Sequence, residues 1–288
     1  MASKRTPIHS NFRPSNLSSS KWETKGTKPL PDPSSVKKIF LMVLLFGCKK
    51  VMFTPTNVLR GYALALFLIS VIGKQMPIPK TFFSRSDNFL NLYFVKLGWL
   101  WTLIVAFPFI LLTSFVYCSG KRDRILKHLA RLVVATGFWF FLTKFFVYIE
   151  SNVGSCIGRE PSKEISKLNK IDCISGKHFW RGFDISGHTF LLIYSMLILI
   201  EETKSNGPYI RGLFIGITAL VIIWNVMLIS TMIYFHDVSE KLISGIIAVF
   251  SWFITYKVWF AYPHVFPESF SCAILKQIYA KKHGIHMK

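Results

Sequence analysis

The sequence predicts an all-α fold, a polytopic membrane helix bundle, and three observations carry that expectation. Hydrophobic residues make up 51% of the 288 positions, and they gather in runs of roughly twenty that are apolar on every side, as lipid solvation demands. The chain carries 35 Lys and Arg against 14 Asp and Glu, placed mainly in tails and short loops between those runs, the pattern of cytoplasmic loops. A soluble domain of this length would keep its hydrophobic segments short and periodic, and here they are long. The net charge of +21 is accounted for by anionic lipid headgroups or anionic substrates. Nucleic acid is not expected as a partner, because no recognition module is legible.

The elements follow in order. Residues 1–38 are rich in Ser, Pro, Lys and Arg and read as a disordered basic cytoplasmic tail, with no cleavage site that would make it a signal peptide. The transmembrane domain is expected over 39–262. It begins with Ile39–Phe53, too short to span and broken by Lys49 and Lys50, which predicts a short interfacial helix. About six transmembrane helices follow, at about 58–73, 97–117, 129–149, 186–201, 211–235 and 240–260. Trp99 and Trp101 read as interfacial anchors of the second span. The basic stretch "SGKRDRILKH" between spans two and three is placed in the cytoplasm. So is the turn "EETKSNGP", whose Gly207-Pro208 breaks the helix. The C-terminal segment 263–288 is a second basic cytoplasmic tail.

Both termini are then cytoplasmic, and the polar loop at 150–187 falls on the far side. Cys156 and Cys173 lie in that loop; they either pair, if it faces an oxidising lumen, or remain free thiols. His188 opens span four and His236 follows span five, so one helical hairpin brings both histidines to the same mouth. Helical rise leaves the segment from His188 to the turn about 15 Å shorter than the segment from the turn to His236. An early end to span five near Ser230-Thr231, with a recessed His188, would close that gap.

Two constellations carry the chemistry. In "GFDISGHTF", Asp184 or Ser186 can cap the following helix, and Gly187 permits close approach to free amides at the positive end of the helix dipole. Ser-Gly-His is therefore either a phosphate seat with a proton donor or an ordinary cap beside an interfacial histidine. In "YFHDVSEK", a helix starting near Asp237 puts His236 and Glu240 one turn apart on one face. There a carboxylate can orient an imidazole, as in a His–Asp dyad. Asn225 in span five is assigned to interhelical packing. Glu201, Glu202 and Lys257, at cytoplasmic ends, receive no role in the site. No cofactor and no metal is implied. A metal site of His188, His236, Glu240 and Asp184 is the weakest of the alternatives.

"SGH" followed by "HxxxE" resembles the second and third motifs of the type 2 phosphatidic acid phosphatase superfamily. "WRGFDISGHTFLLIYS" with "YFHDVSEK" is closer still to the fat storage-inducing transmembrane family, and the likeness covers the six-span layout. That resemblance implies an endoplasmic reticulum membrane hydrolase supporting lipid droplet formation. It would cleave the diphosphate of fatty acyl-CoA on the lumenal side, to acyl 4′-phosphopantetheine and adenosine 3′,5′-bisphosphate. It also implies that His236 attacks phosphorus, that Glu240 orients it, and that His188 protonates the leaving oxygen. Ser186 and Gly187 would hold nonbridging oxygens.

Two features depart from the superfamily pattern. No Lys with Arg-Pro seven residues on stands upstream, and Ser230 occupies the place of an expected Arg. Lys144, Lys177, Arg181 and Lys241 are the cations available as substitutes. The expected partners are fatty acyl-CoA or a related acylated phosphate, membrane lipids, and neutral lipids as a further class. The competing readings are a non-catalytic neutral-lipid binding protein and a phosphatidate or lysophosphatidate phosphatase.

Overall fold

The computed structural model describes residues 36–54, 56–76, 78–117, 122–158, 164–165, 169–204 and 210–261. The tails expected at 1–38 (as far as residue 35) and 263–288, together with Cys118, Cys272 and the turn at 205–209, lie outside them. Two compact units are distinguished, residues 1–41 and 42–288. The first contributes, among the described residues, only the opening turns of helix α1 (Val36–Met52), which ends with Lys49 and Lys50 in its last turn. The bundle belongs to the second.

The remaining helices are α2 (Thr56–Gln75), α3 (Gly98–Tyr117), α4 (Arg122–Asn152), the short α5 (Lys170–Ser175), α6 (Gly187–Thr203), α7 (Arg211–Tyr234) and α8 (Val238–Trp252). Beyond α8 the chain continues in a π-helical turn over Phe253–Val258. Five helical stretches among the described residues are long and apolar enough to cross a membrane: Val58–Gln75, Gly98–Phe115, Arg122–Asn152, Arg211–Tyr234 and Val238–Val258. The crossing expected at 186–201 is occupied by α6. Its 17 residues reach about 25 Å, short of the ~30 Å hydrocarbon thickness.

What distinguishes α6 is burial on all sides. Leu192, Tyr194, Ile198 and Leu199 are fully buried although they point in different directions around the helix, so neighbouring helices replace lipid as its solvent. One face joins a core around Trp224 of α7 with Phe109 and Ile110 of α3. The other joins Trp99, Ala135, Phe146 and Ala248. Here Trp99 stacks between Trp139 and Tyr194, at 5.6 and 5.9 Å between ring centres, and Phe190 stacks on Tyr194 at 5.4 Å. Trp99 is thus a core residue and not the interfacial anchor the sequence suggested. Stacking of three aromatic rings outweighs an interfacial seat for one of them. Trp101 is half-buried, donating from its indole to the Tyr93 carbonyl at 2.8 Å.

The two ends of α6 are fixed differently. At its C-terminal end, Glu202 is buried between Arg131 of α4 (3.1 Å) and the Tyr256 hydroxyl, which donates to it at 2.9 Å. Glu201 meets Lys204 and Lys257, each at 2.6 Å. Glu201, Glu202 and Lys257 therefore hold α4, α6 and the π-helical turn beyond α8 together, a role their sequence positions had not suggested.

At the other end, the expected plain loop of 150–187 is structured. Strands β1 (Gly154–Ile157), β2 (Glu164–Ile165) and β3 (Phe179–Gly182) form an antiparallel sheet in the order β2-β1-β3. A Cys156–Cys173 disulfide joins β1 to α5, with Cα atoms 5.8 Å apart, which decides between the two states left open for these cysteines. The sheet is tied to the end of α4 by Trp180, whose indole donates to the Glu150 carbonyl at 3.0 Å. A Lys170–Glu150 ion pair fastens the same corner.

The α2–α7 contact shows why two sequence features stand where they do. A Cβ at Gly73 would lie 2.9 Å from the Ile233 carbonyl oxygen, so glycine is what lets the two backbones approach. Lower in the same pair, the Tyr62 hydroxyl donates to Asn225 Oδ1 at 2.8 Å, the interhelical packing role expected of Asn225. Helix α7 does not stop at Ser230-Thr231; it runs to Tyr234. Ser230 donates to the Phe83 carbonyl at 3.1 Å, so the segment between α2 and α3 packs over this last turn and gives it reason to stay helical.

Candidate functional site

The site forms where α6 and α8 begin and α7 ends. Helix α7 closes with the Phe235 amide donating to the Thr231 carbonyl at 3.2 Å. His236 follows with φ of +56°, in the left-handed region that His occupies more readily than most residues yet seldom without a reason. Asp237 then returns to extended geometry and caps α8. His236 is therefore not on the helix with Glu240, as the spacing had suggested, but on the bend before it. What brings the two together is the fold-back of Glu240, the third residue of α8. Its Oε2 accepts from the Asp237 amide at 2.9 Å, satisfying a free donor of the first turn.

The other oxygen of Glu240 accepts from the Asp184 amide at 3.1 Å. One carboxylate thus clamps the backbone at Asp184 to the backbone at Asp237. His236 Nδ1 lies 3.4 Å from Asp184 Oδ2 and 3.6 Å from Glu240 Oε2. With both carboxylates on the Nδ1 side, Nε2 is the nitrogen left for chemistry. Glu240 is the more enclosed partner, at 12% side-chain exposure against 55% for Asp184. Burial pushes the Asp184 carboxyl above its ordinary value; His236 opposes that, while Glu150 and Glu240 add to it. Asp237 is held below its ordinary value by the Lys74 ammonium beside it, and that ion pair ties the α7–α8 bend to the end of α2.

Ser186 caps α6. Its hydroxyl accepts from the Thr189 amide at 3.3 Å and bonds the Thr189 hydroxyl at 2.9 Å, and the Ser244 hydroxyl donates to its carbonyl at 2.6 Å. The side chain is fully buried, and its hydroxyl is engaged by Thr189. The first bond of α6 runs from the Phe190 amide to the Ser186 carbonyl, which leaves the Gly187 and His188 amides as unused donors of the first turn. No atom lies within 4 Å of where a Gly187 Cβ would stand. His188 is half-buried, within electrostatic reach of His236 and Lys96.

The predicted cations separate. Lys241 is buried at 3% exposure and donates to the Met232 carbonyl at 2.8 Å. Arg181, exposed on β3, acts electrostatically on Asp237. Lys144 is exposed on α4 with its ammonium 5.8 Å from the Phe140 ring, and Lys177 occupies an exposed left-handed turn. No contact among the described residues links either of those two to the histidines. Asp184 was grouped with His236 from sequence only as a cap or metal ligand, not as a carboxylate partner, and Lys96 and the Lys74–Asp237 pair were not assigned to the site at all. Asp184 had a signal, lying four residues before His188; Lys96 and Lys74 had none beyond flanking spans. Among the described residues no group of three His, Cys, Asp or Glu is arranged to hold a metal ion.

Fold and site together define a polytopic membrane helix bundle that gathers two histidines and two carboxylates at the start of its most buried helix. Comparison with known proteins makes this more particular. Residues 79–216 match the family model described as fat storage-inducing transmembrane protein. Relatives named acyl-coenzyme A diphosphatase FITM2 are found in several animals. That of Drosophila melanogaster is 38% identical over 307 aligned positions, covering 90% of this chain and 71% of the relative. The Xenopus laevis protein is 37% identical, covering 67% and 78%, and that of Homo sapiens 34%, covering 74% and 87%. No solved structure matches the chain. The chain belongs to the fat storage-inducing transmembrane family.

Proposed function

We propose that this protein is a fatty acyl-CoA diphosphatase of the endoplasmic reticulum membrane, working on the lumenal side in support of lipid droplet formation and lipid homeostasis. The observation that carries the reading is His236 Nδ1 set against the Asp184 and Glu240 carboxylates, beside the amide-bearing start of α6. The names of the relatives support the substrate, and the disulfide supports an oxidising compartment for this end of the bundle.

In the reaction, His236 Nε2 attacks one phosphorus of the diphosphate. The bridging P–O bond breaks with its electron pair on the leaving oxygen, and His188 supplies the proton that oxygen takes. The imidazolium formed at His236 is stabilised through Nδ1 by Glu240 and Asp184. The Gly187 and His188 amides, with Lys241, Lys96 and Arg181 nearby, offset charge on the nonbridging oxygens. Water then attacks the phosphohistidine, giving its proton to His188, and His236 is regenerated. The products are acyl 4′-phosphopantetheine and adenosine 3′,5′-bisphosphate. No step draws on a cofactor.

The test is turnover of oleoyl-CoA, phosphatidate and lysophosphatidate, side by side, by the purified protein in detergent. The expected result is acyl-CoA cleavage that His236→Gln lowers by on the order of 10²–10⁴-fold. Hydrolysis of acyl-CoA unchanged in that variant would sink the mechanism. Preferential turnover of phosphatidate would move the reading to a lipid phosphate phosphatase. No turnover of any of the three would favour the neutral-lipid binding protein.

A further inference from the structure

Beside the catalytic mouth, an apolar groove of about 520 Å³ separates α2 from α8. Leu66 and Ser70 of α2, Ile193 of α6, and Lys241, Gly245 and Phe253 of α8 and its extension all line it. Lys241 is the only charged residue among those lining it, and it stands next to Glu240 in the chain. From Lys241 to Phe253 the helix advances roughly 18 Å, the reach of a long-chain fatty acyl group. On the outer wall Ile246 and Phe250 are 59% and 61% exposed. The groove therefore opens sideways, on the face of α8 that meets hydrocarbon.

We infer that this groove receives the fatty acyl chain of the substrate, which enters laterally from the bilayer while its anionic phosphorus end rests at the mouth. The inference rests on the reading of the chain as a hydrolase of acylated phosphates, and it adds where that substrate is held. Three observations favour an acyl chain over other occupants. The lining offers almost nothing to a polar group, so the amides of a pantetheine arm or a sugar would lose their hydrogen bonds there. Such polar parts stay at the solvated mouth.

The polar end of the groove lies close to the candidate site, because Val238 and Lys241, which line it, stand in the first turn of α8 with Glu240. Near that end Ser70, 2% exposed, has a hydroxyl without a hydrogen-bond partner. It is a donor placed where the polar head of an acylated molecule would pass.

Gly245 sets the depth. A Cβ there would sit 3.5 Å from Ile193 Cδ1, ordinary contact, so a larger side chain is accommodated by the protein but occupies the groove. The experiment compares kcat/KM for octanoyl-, palmitoyl- and oleoyl-CoA in the full-length protein and in Gly245→Leu. Ala63→Phe, on the exposed side of α2, is an independent second variant. The ratio of long-chain to octanoyl kcat/KM should fall by on the order of tenfold in both. An unchanged ratio in both variants overturns the proposal.

A palmitate chain bearing a terminal diazirine, presented as its CoA ester and as phosphatidate, supplies the second measurement. Photolabelling concentrated on α2 and α8 peptides supports the groove, and labelling confined to other helices overturns it. If wild-type protein cleaves no acyl-CoA yet the phosphatidate probe labels these peptides, the groove stands and the diphosphatase reading fails.

Discussion

At Gly187 the protein itself places no demand on the missing side chain. No atom lies within 4 Å of the position a Cβ would take, and the residue opens a helix, where alanine costs nothing sterically. Gly187→Ala should therefore leave thermal stability unchanged or raise it by up to about 1 kcal/mol, through a less flexible unfolded chain. In the proposed reaction the same methyl intrudes on the phosphate oxygens at the amide seat, and kcat/KM for acyl-CoA should fall on the order of tenfold or more. A melting curve and a kinetic assay on one preparation separate the two effects. Full activity in a correctly folded variant would remove the amide seat from the mechanism. His236 presents the opposite case. Its positive φ is held by the α7 terminus on one side and the Asp237 cap on the other, and that bend is what turns Nδ1 toward two carboxylates at once.

Among the elements, the sheet of β1–β3 is the one whose purpose is least visible from its own residues. It ends at Gly182, two residues before Asp184, and its disulfide closes a loop of 17 residues, a constraint worth about 3 kcal/mol on the unfolded chain. The consequence is that the Asp184 amide is delivered to Glu240 by a segment that is itself fastened. Replacing both cysteines, Cys156→Ser with Cys173→Ser, should lower acyl-CoA turnover several-fold, and a reductant should bring the wild type to the same level without affecting the double variant. Equal activity with and without reductant would show that the sheet does not position the site. Helix starts were readable because capping chemistry is local: Ser186 and the Asp237–Glu240 pair announce α6 and α8 within four residues. The sheet was not, since two- and four-residue strands owe their existence to the disulfide and to Trp180 over Glu150. Nor did local pattern reveal that Trp99 stacks in the core or that Glu202 pairs with Arg131, 71 residues away.

For the whole molecule, hydropathy located the long helices α2, α3, α4, α7 and α8, because lipid requires long apolar runs wherever the chain crosses. Orientation is a different matter; it rests on the distribution of cations and on the compartment in which cysteines pair. In the proposed orientation the disulfide, His188 and His236 face the lumen and the basic tails the cytoplasm. N-glycosylation tests this directly, since only lumenal Asn-X-Ser/Thr sites are modified. The chain carries one such sequence, Asn16-Leu17-Ser18, in the tail expected to be cytoplasmic. A second can be made on the exposed turn before β3 by Lys177→Asn with Phe179→Thr. Lys177 has φ of +58°, which asparagine adopts readily, and Phe179 is 70% exposed, so neither change disturbs packing. Expressed with microsomes, the wild type should migrate as a single unmodified species, and the double variant should gain one endoglycosidase-sensitive shift. Modification at Asn16 in the wild type, or a variant that stays unmodified while retaining activity, would invert the topology and move the reaction to the cytoplasmic face.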